Sequence, residues 1–194
     1  MAVRPACDED VEPLAAMLTR AFHDDPVTAW VYAREGRRPH WAQRFFRWQV
    51  QRLLEQEVMW TTEDCAGAAL WALPGRWREE TRDALSLLRQ TLPGMLPRLP
   101  RVLVGLGQVE ARHPAGRHFY LAVLGVDPDR QGTGVGSRVI QPGLDLCDQE
   151  GLPAYLETGK ERNLAFYGRH GFEVVDRLVL PKGPPVWFLW REPR

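Results

Sequence analysis

Apolar residues recur along the chain at two different spacings, and the switch between them predicts the elements. Val3 to Ala6 reads as a short strand. Asp8 then caps a helix on which Val11, Leu14, Met17, Leu18 and Phe22 recur at helical spacing. Pro26 is expected to end that helix. A second helix is predicted from about Pro39 to Glu55, carrying Trp41, Phe45, Trp48, Val50 and Leu53. Glu57 to Thr62 and Gly67 to Leu73 read as two strands joined by an acidic turn. From residue 79 to 112 the composition is helical but interrupted by Pro93, Pro97 and Pro100. One helix over about 79–91, followed by shorter pieces, is therefore expected.

After residue 117 the pattern sharpens. His118 to Asp127 is a long apolar strand, Gly132 to Glu150 a helix, Pro153 to Thr158 a strand and Asn163 to Arg169 a short helix. Phe172 to Leu180 and Val186 to Arg191 add two more strands. A strand, helix and strand in this order imply a right-handed parallel crossover. The whole reads as an α/β fold, a mixed sheet with helices on both faces. Pro142 falls inside the helix that follows the glycine-rich turn, and it should kink that helix or end its first two turns.

Composition narrows the function. The length of 194 residues suits one domain over 1–194, and 44% hydrophobic residues mark a folded chain rather than a disordered one. There is no apolar run long enough for a transmembrane helix, and Met1-Ala2-Val3-Arg4-Pro5 leads into acidic sequence without an apolar signal core, so a cytoplasmic location is expected. Basic and acidic residues balance at 25 each, which gives no global attraction to nucleic acid or to a membrane surface. Cys7, Cys65 and Cys147 are far apart, and the five histidines form no ligand pair, so neither a disulfide framework nor a metal site is predicted. The apolar positions of residues 93–107 suit either internal packing or a dimer face, leaving monomer or homodimer open.

The most informative stretch is Leu124-Gly125-Val126-Asp127-Pro128-Asp129-Arg130-Gln131-Gly132-Thr133-Gly134-Val135-Gly136-Ser137. A strand runs into a glycine-rich turn that opens a helix. Such a turn aligns backbone N–H groups with the positive end of the helix and suits a pyrophosphate. The Thr133 and Ser137 hydroxyls add donors. A P-loop would need a lysine that is missing here, and the GxGxG spacing late in the chain disfavours a dinucleotide fingerprint.

Val126-Asp127-Pro128 followed by Gln131-Gly132-Thr133-Gly134-Val135-Gly136 resembles the pyrophosphate loop of the GCN5-related N-acetyltransferase (GNAT) superfamily. Phe166-Tyr167-Gly168-Arg169-His170-Gly171-Phe172 resembles that superfamily's tyrosine and Gly-Phe motif. Within it, the chain is similar to the puromycin N-acetyltransferases in Leu156-Glu157-Thr158, in Arg162-Asn163-Leu164 through Phe166-Tyr167, and in Pro181 to Pro184 before Trp187. The resemblance implies the GNAT fold: a single mixed, mostly antiparallel sheet whose parallel central pair splays at the cofactor site. It also implies acetyl-coenzyme A as co-substrate and transfer of its acetyl group to a primary amine.

By the same resemblance, Leu124, Gly125 and Val126 would grip the pantetheine arm, Gln131 to Ser137 the pyrophosphate, and Asn163 the cofactor arm. Asn163 stands closer to the tyrosine than in many members. Tyr167 is the candidate general acid for the departing thiolate. Glu157, on a strand where it alternates with Leu156, is the candidate base or a structural carboxylate. His118, at the far end of its strand, is a poorer base. Phe22, Trp30, Tyr32, Phe45 and Trp71 are available to line an acceptor pocket between the first two helices and the sheet, which suits an aromatic small-molecule amine. Two rival readings are a protein acetyltransferase and a non-catalytic acetyl-CoA sensor.

Overall fold

The computed structural model describes residues 2–78 and 81–194, with side chains at all of these except 81–84 and 88. Seven strands among them form one sheet in the order β1-β2-β3-β4-β5-β7-β6. They are β1 (Val3–Pro5), β2 (Met59–Thr62), β3 (Gly67–Ala72), β4 (Phe119–Val126), β5 (Ala154–Thr158), β6 (Glu173–Val179) and β7 (Pro185–Arg191). Every neighbouring pair is antiparallel except β4 and β5.

Helices cover both faces. On one side α1 (Val11–Ala21) and α3 (Arg38–Leu54) pack on β3 and β4; on the other, α6 (Val135–Glu150) lies across β2, β3 and β4. The burial pattern of β3 explains the two layers. Ala68, Leu70 and Ala72 join the cluster under α1 and α3, whereas Ala69 and Trp71 join the cluster under α6. A third cluster forms where Trp30 and Val102 meet Tyr155, Val186 and Phe188. Two of its members come from α2 (Pro26–Val31) and α5 (Leu99–Glu110).

Pro26, Pro93, Pro97 and Pro100 depart from expectation, and Pro142 does not end its helix. Pro26 ends no helix. It opens α2, where the Asp25 carboxylate accepts from the Thr28 N–H at 2.8 Å and the missing proline N–H costs nothing. Pro97 and Pro100 likewise sit in first turns, so the proline cluster is followed by the full twelve-residue α5 rather than by fragments. Pro93 lies inside α4 (Thr81–Met95). Residues 79 and 80, the start of the helix expected over 79–91, lie outside the described residues. Pro142 sits in the middle of α6, which runs unbroken to Glu150. Proline inside a helix costs about 3 kcal/mol. Val139, Ile140 and Leu144 are nearly fully buried on either side of it, and each such side chain contributes about 1.5–3 kcal/mol. Packing on the sheet wins.

Candidate active site

The parallel pair that should run side by side barely does. Only Phe119↔Ala154 and Tyr120↔Tyr155 are paired between β4 and β5. Beyond them the strands part. At the same point β4 carries an extra residue, Ala122, between the partners of Leu70 and Trp71, a bulge that bends the strand. The fork opens into a cleft of about 670 Å³.

One side of the cleft is main chain. Leu124, Gly125 and Val126 present the free edge of β4, and the turn after Asp127 leads into α6. Gly132 and Gly134 adopt φ of +76° and +82°, where a Cβ would be strained by about 1–2 kcal/mol. Gly125 serves contact instead: a Cβ there would stand 2.4 Å from Leu18, so glycine lets α1 rest directly on β4. The first turn of α6, whose N–H groups have no helical partner, borders the cleft at Val135, Gly136 and Ser137. Arg130, Lys160, Arg162 and Arg169 stand around the same region. A helix start, two left-handed glycines and basic side chains form a donor set that fits the pyrophosphate of coenzyme A, and the exposed β4 edge fits an amide-bearing arm.

The other side is built from side chains. Glu157 projects from β5 with its side chain 14% exposed, and its Oε2 accepts from the Tyr120 hydroxyl at 2.7 Å. Burial, then the Glu157 charge, pushes the Tyr120 pKa well above that of a free tyrosine, so Tyr120 remains a donor to the carboxylate. Tyr167, 6% exposed on α7 (Leu164–Arg169), also borders the cleft. Its pKa is raised by burial and, secondly, by the Asp25 carboxylate, which keeps the phenol protonated. Asp25 itself borders the cleft, and burial pushes its pKa up.

The fork brings together most of the residues expected from sequence. Leu124, Gly125, Val126, Gln131, Gly132, Gly134, Val135, Gly136, Ser137, Glu157, Asn163 and Tyr167 all border the cleft, as do Phe22 and Phe45. Gln131 donates to the Val126 carbonyl at 3.2 Å, and Asn163 to the Thr158 hydroxyl at 3.4 Å. Four residues depart from expectation. The Thr133 hydroxyl turns back to the Arg130 carbonyl at 2.7 Å and is not among the lining groups. Trp30, Tyr32 and Trp71 are 4%, 5% and 0% exposed and belong to the interior, not to the acceptor wall. Glycines make their seats: a Cβ at Gly143 would stand 2.3 Å from the Trp71 indole, and one at Gly105 would stand 2.6 Å from that of Trp30.

Sequence reasoning missed Tyr120, His113 and Asp25. Tyr120 carried a signal, since His118 and Tyr120 alternate on a strand that is otherwise apolar. His118 stands, as expected, at the far end of its strand, outside the cleft lining. It precedes β4 at the closed end of the fork and reaches Glu157 through His113. Among the described residues no cluster of His, Cys, Asp and Glu could hold a metal ion, and no helix is long and apolar enough to cross a membrane.

Comparison with known proteins agrees with this geometry. The sequence profile of the acetyltransferase (GNAT) family matches residues 8–172. The chain is 28% identical over 211 residues to an uncharacterised N-acetyltransferase of Schizosaccharomyces pombe, covering 100% of this chain and 84% of that protein. Among solved structures it superposes on a histone acetyltransferase HPA2 and related acetyltransferase from Corynebacterium glutamicum with a TM-score of 0.71, at 22% identity, covering 100% of this chain and 96% of the other. It superposes on arylalkylamine N-acetyltransferase 2 from Aedes aegypti with a TM-score of 0.64, at 13% identity, covering 100% and 99%. With a glycine turn, a forked parallel pair and a family profile spanning most of its length, the chain belongs to the GNAT family of acetyltransferases.

Proposed function

We propose that the protein acetylates the primary amine of a small molecule with an aromatic or otherwise apolar body, using Glu157 as base and Tyr167 as acid. One observation carries this reading: a hydrogen-bonded carboxylate and a buried, protonated phenol border the same forked cleft as the glycine turn. Acetyl-CoA supplies the activated acyl group on a thiol leaving group. Gly132, Gly134 and the start of α6 would hold its pyrophosphate, and the main chain from Leu124 to Val126 its pantetheine arm.

The chain's own residues handle the protons. A free alkylamine has a pKa near 10, so at neutral pH the acceptor arrives as an ammonium and must lose a proton before it can attack. Glu157 accepts that proton, and Tyr120 keeps the carboxylate oriented. Tyr167 gives a proton to the departing thiolate. Its raised pKa suits the task, since the phenol keeps its proton across the neutral range.

The walls support a small acceptor. Phe22, Phe45 and Phe46 stand on one side of the cleft and Leu106, Val109 and Leu180 on another, with the Asp25 and Glu157 carboxylates among them. Apolar walls with two carboxylates suit an organic cation with a planar or aliphatic body. The resemblance to puromycin N-acetyltransferases adds an aminonucleoside to that class. The test is acetyl-CoA-dependent thiol release against arylalkylamines, puromycin and a short lysine peptide. Turnover of an aromatic amine at least about tenfold above the peptide is expected. Preference for the peptide would contradict the reading.

A further inference from the structure

Charge is placed against the usual rule where α3 and α5 begin. Helix starts favour acidic side chains, because their free N–H groups carry partial positive charge. The first turns of α3 and α5 contain no acid. Arginines stand there instead: Arg37 and Arg38 at the start of α3, Arg98 and Arg101 at the start of α5. Arg34 lies just upstream, on the turn that leads into α3.

The two helix starts share one positive neighbourhood. Burial first, then the charges of Arg101 and Arg38, push the Arg98 pKa down. Among the described residues none of these five arginines forms an ion pair, and neither does Glu35, the acid nearest in sequence. Arg38 donates to the Tyr32 carbonyl at 3.2 Å, and Arg98 to the Ala29 and Trp30 carbonyls at 3.0 Å. Those contacts satisfy N–H groups but cancel no charge. The Nε of Arg101 is buried without any partner, so its lost hydration is not returned. Beside the cluster lies a cavity of about 260 Å³, lined by Arg34 and Arg37 and walled by Trp41, Pro93, Leu96 and Pro97. Gly94 closes it: a Cβ there would stand 2.5 Å from the Trp41 ring, so glycine seats α4 against the indole.

We propose that this cavity is a second ligand site that takes a small organic anion, a phosphate or carboxylate carried on a compact apolar body. It is separate from the acetyl-transfer cleft, since no lining residue is shared. Arg34 and Arg37 would hold the anion, because a guanidinium fork matches two phosphate or carboxylate oxygens at once. Arg38, Arg98 and Arg101 add positive potential, and the ligand supplies the counter-charge that the chain lacks. Trp41, Pro93 and Leu96 would cover the apolar body. A volume of 260 Å³ holds about nine water-sized groups, which suits a ligand near the size of phenyl phosphate. The chain as a whole carries no net charge, so the attraction is local and fits one anionic group rather than a polyanion.

The test is a calorimetric titration of the full chain with phenyl phosphate. Coenzyme A is kept at saturation so that the glycine turn cannot take up the probe. One equivalent should bind with a Kd of about 1 mM or tighter. The Arg34→Gln, Arg37→Gln double variant should weaken that binding at least about tenfold, with the acetyl-CoA Kd and the amine KM within about twofold of wild type. Its Tm should be no lower than wild type, because it loses repulsion rather than packing. Inorganic phosphate, which has no body to cover, should bind at least about tenfold more weakly, and uncharged benzyl alcohol should not bind. Phenyl phosphate should also shift the Trp41 indole N–H resonance, assigned through Trp41→Phe. Binding is read without turnover, so this site and the acetyl-transfer reading fail separately. No heat and no shift at about 10 mM probe would overturn the site. So would undiminished binding in the double variant, or equal affinity for inorganic phosphate. A rise in the amine KM of the double variant would overturn its separateness, by making the cavity part of the acceptor site.

Discussion

The two sides of the cleft are built on different principles. The proposed cofactor side is one continuous run of main chain, Leu124 to Ser137, in which backbone groups and left-handed glycines would do the binding. The acceptor side is assembled from side chains far apart in sequence: Phe22 and Asp25, Phe45 and Gln49, Leu106 and Val109, Tyr120, Glu157 and Tyr167. The first side should tolerate most side-chain changes and fail when a glycine gains a Cβ. The second should behave the other way round, failing when one functional group is deleted.

The largest effect should come from the acceptor side. Glu157→Gln keeps the shape and the Tyr120 contact but removes the base, and kcat/KM for the amine should fall about 100-fold. Calorimetry should find the acetyl-CoA Kd within about twofold of wild type, because the pyrophosphate and arm sites are untouched. Tyr167→Phe comes next, with a loss of more than about tenfold in kcat and little change in cofactor binding. Gly134→Val tests the opposite side. Its left-handed φ of +82° opposes a β-branched residue, so strain of about 1–2 kcal/mol should raise the acetyl-CoA Kd by about tenfold while leaving the amine KM alone.

A smaller effect probes the coupling between Asp25 and Tyr167. The Asp25 charge helps to hold the phenol pKa up. The acid works only while protonated, so activity is lost as pH rises through that raised pKa. Asp25→Asn lowers the pKa and should move the alkaline limb of kcat to lower pH, as a pH–rate series would show. Trp71→Phe should have the smallest functional effect. Trp71 packs on Gly143 in the core, so its loss should lower Tm while the amine KM stays within about twofold. A large rise in KM would return Trp71 to the acceptor wall.

This contrast also explains what the sequence revealed. The cofactor side was legible because its chemistry is local: a strand, left-handed glycines and a helix start follow one another within fourteen residues. The parallel crossover followed from the same stretch together with Pro153 to Thr158, whereas the fork followed only from the family resemblance. The acceptor side was half legible. Phe22, Phe45, Trp30 and Trp71 look alike in sequence, and what separates cleft from core is a glycine elsewhere, Gly105 under Trp30 and Gly143 under Trp71. Pro142 misled because its cost is local while the burial of Val139, Ile140 and Leu144 that outweighs it is tertiary. His113 left no trace, since only folding sets its ring between Trp77, Glu157 and His118.

The most direct test of separate binding and transfer sides is a calorimetric titration of acetyl-CoA into the Glu157→Gln, Tyr167→Phe double variant, paired with thiol release in the same preparation. The account predicts a Kd within about twofold of wild type and turnover reduced by at least about 100-fold. A cofactor affinity that collapses together with turnover would contradict it, by showing that these two side chains hold the cofactor rather than carry its acetyl group across.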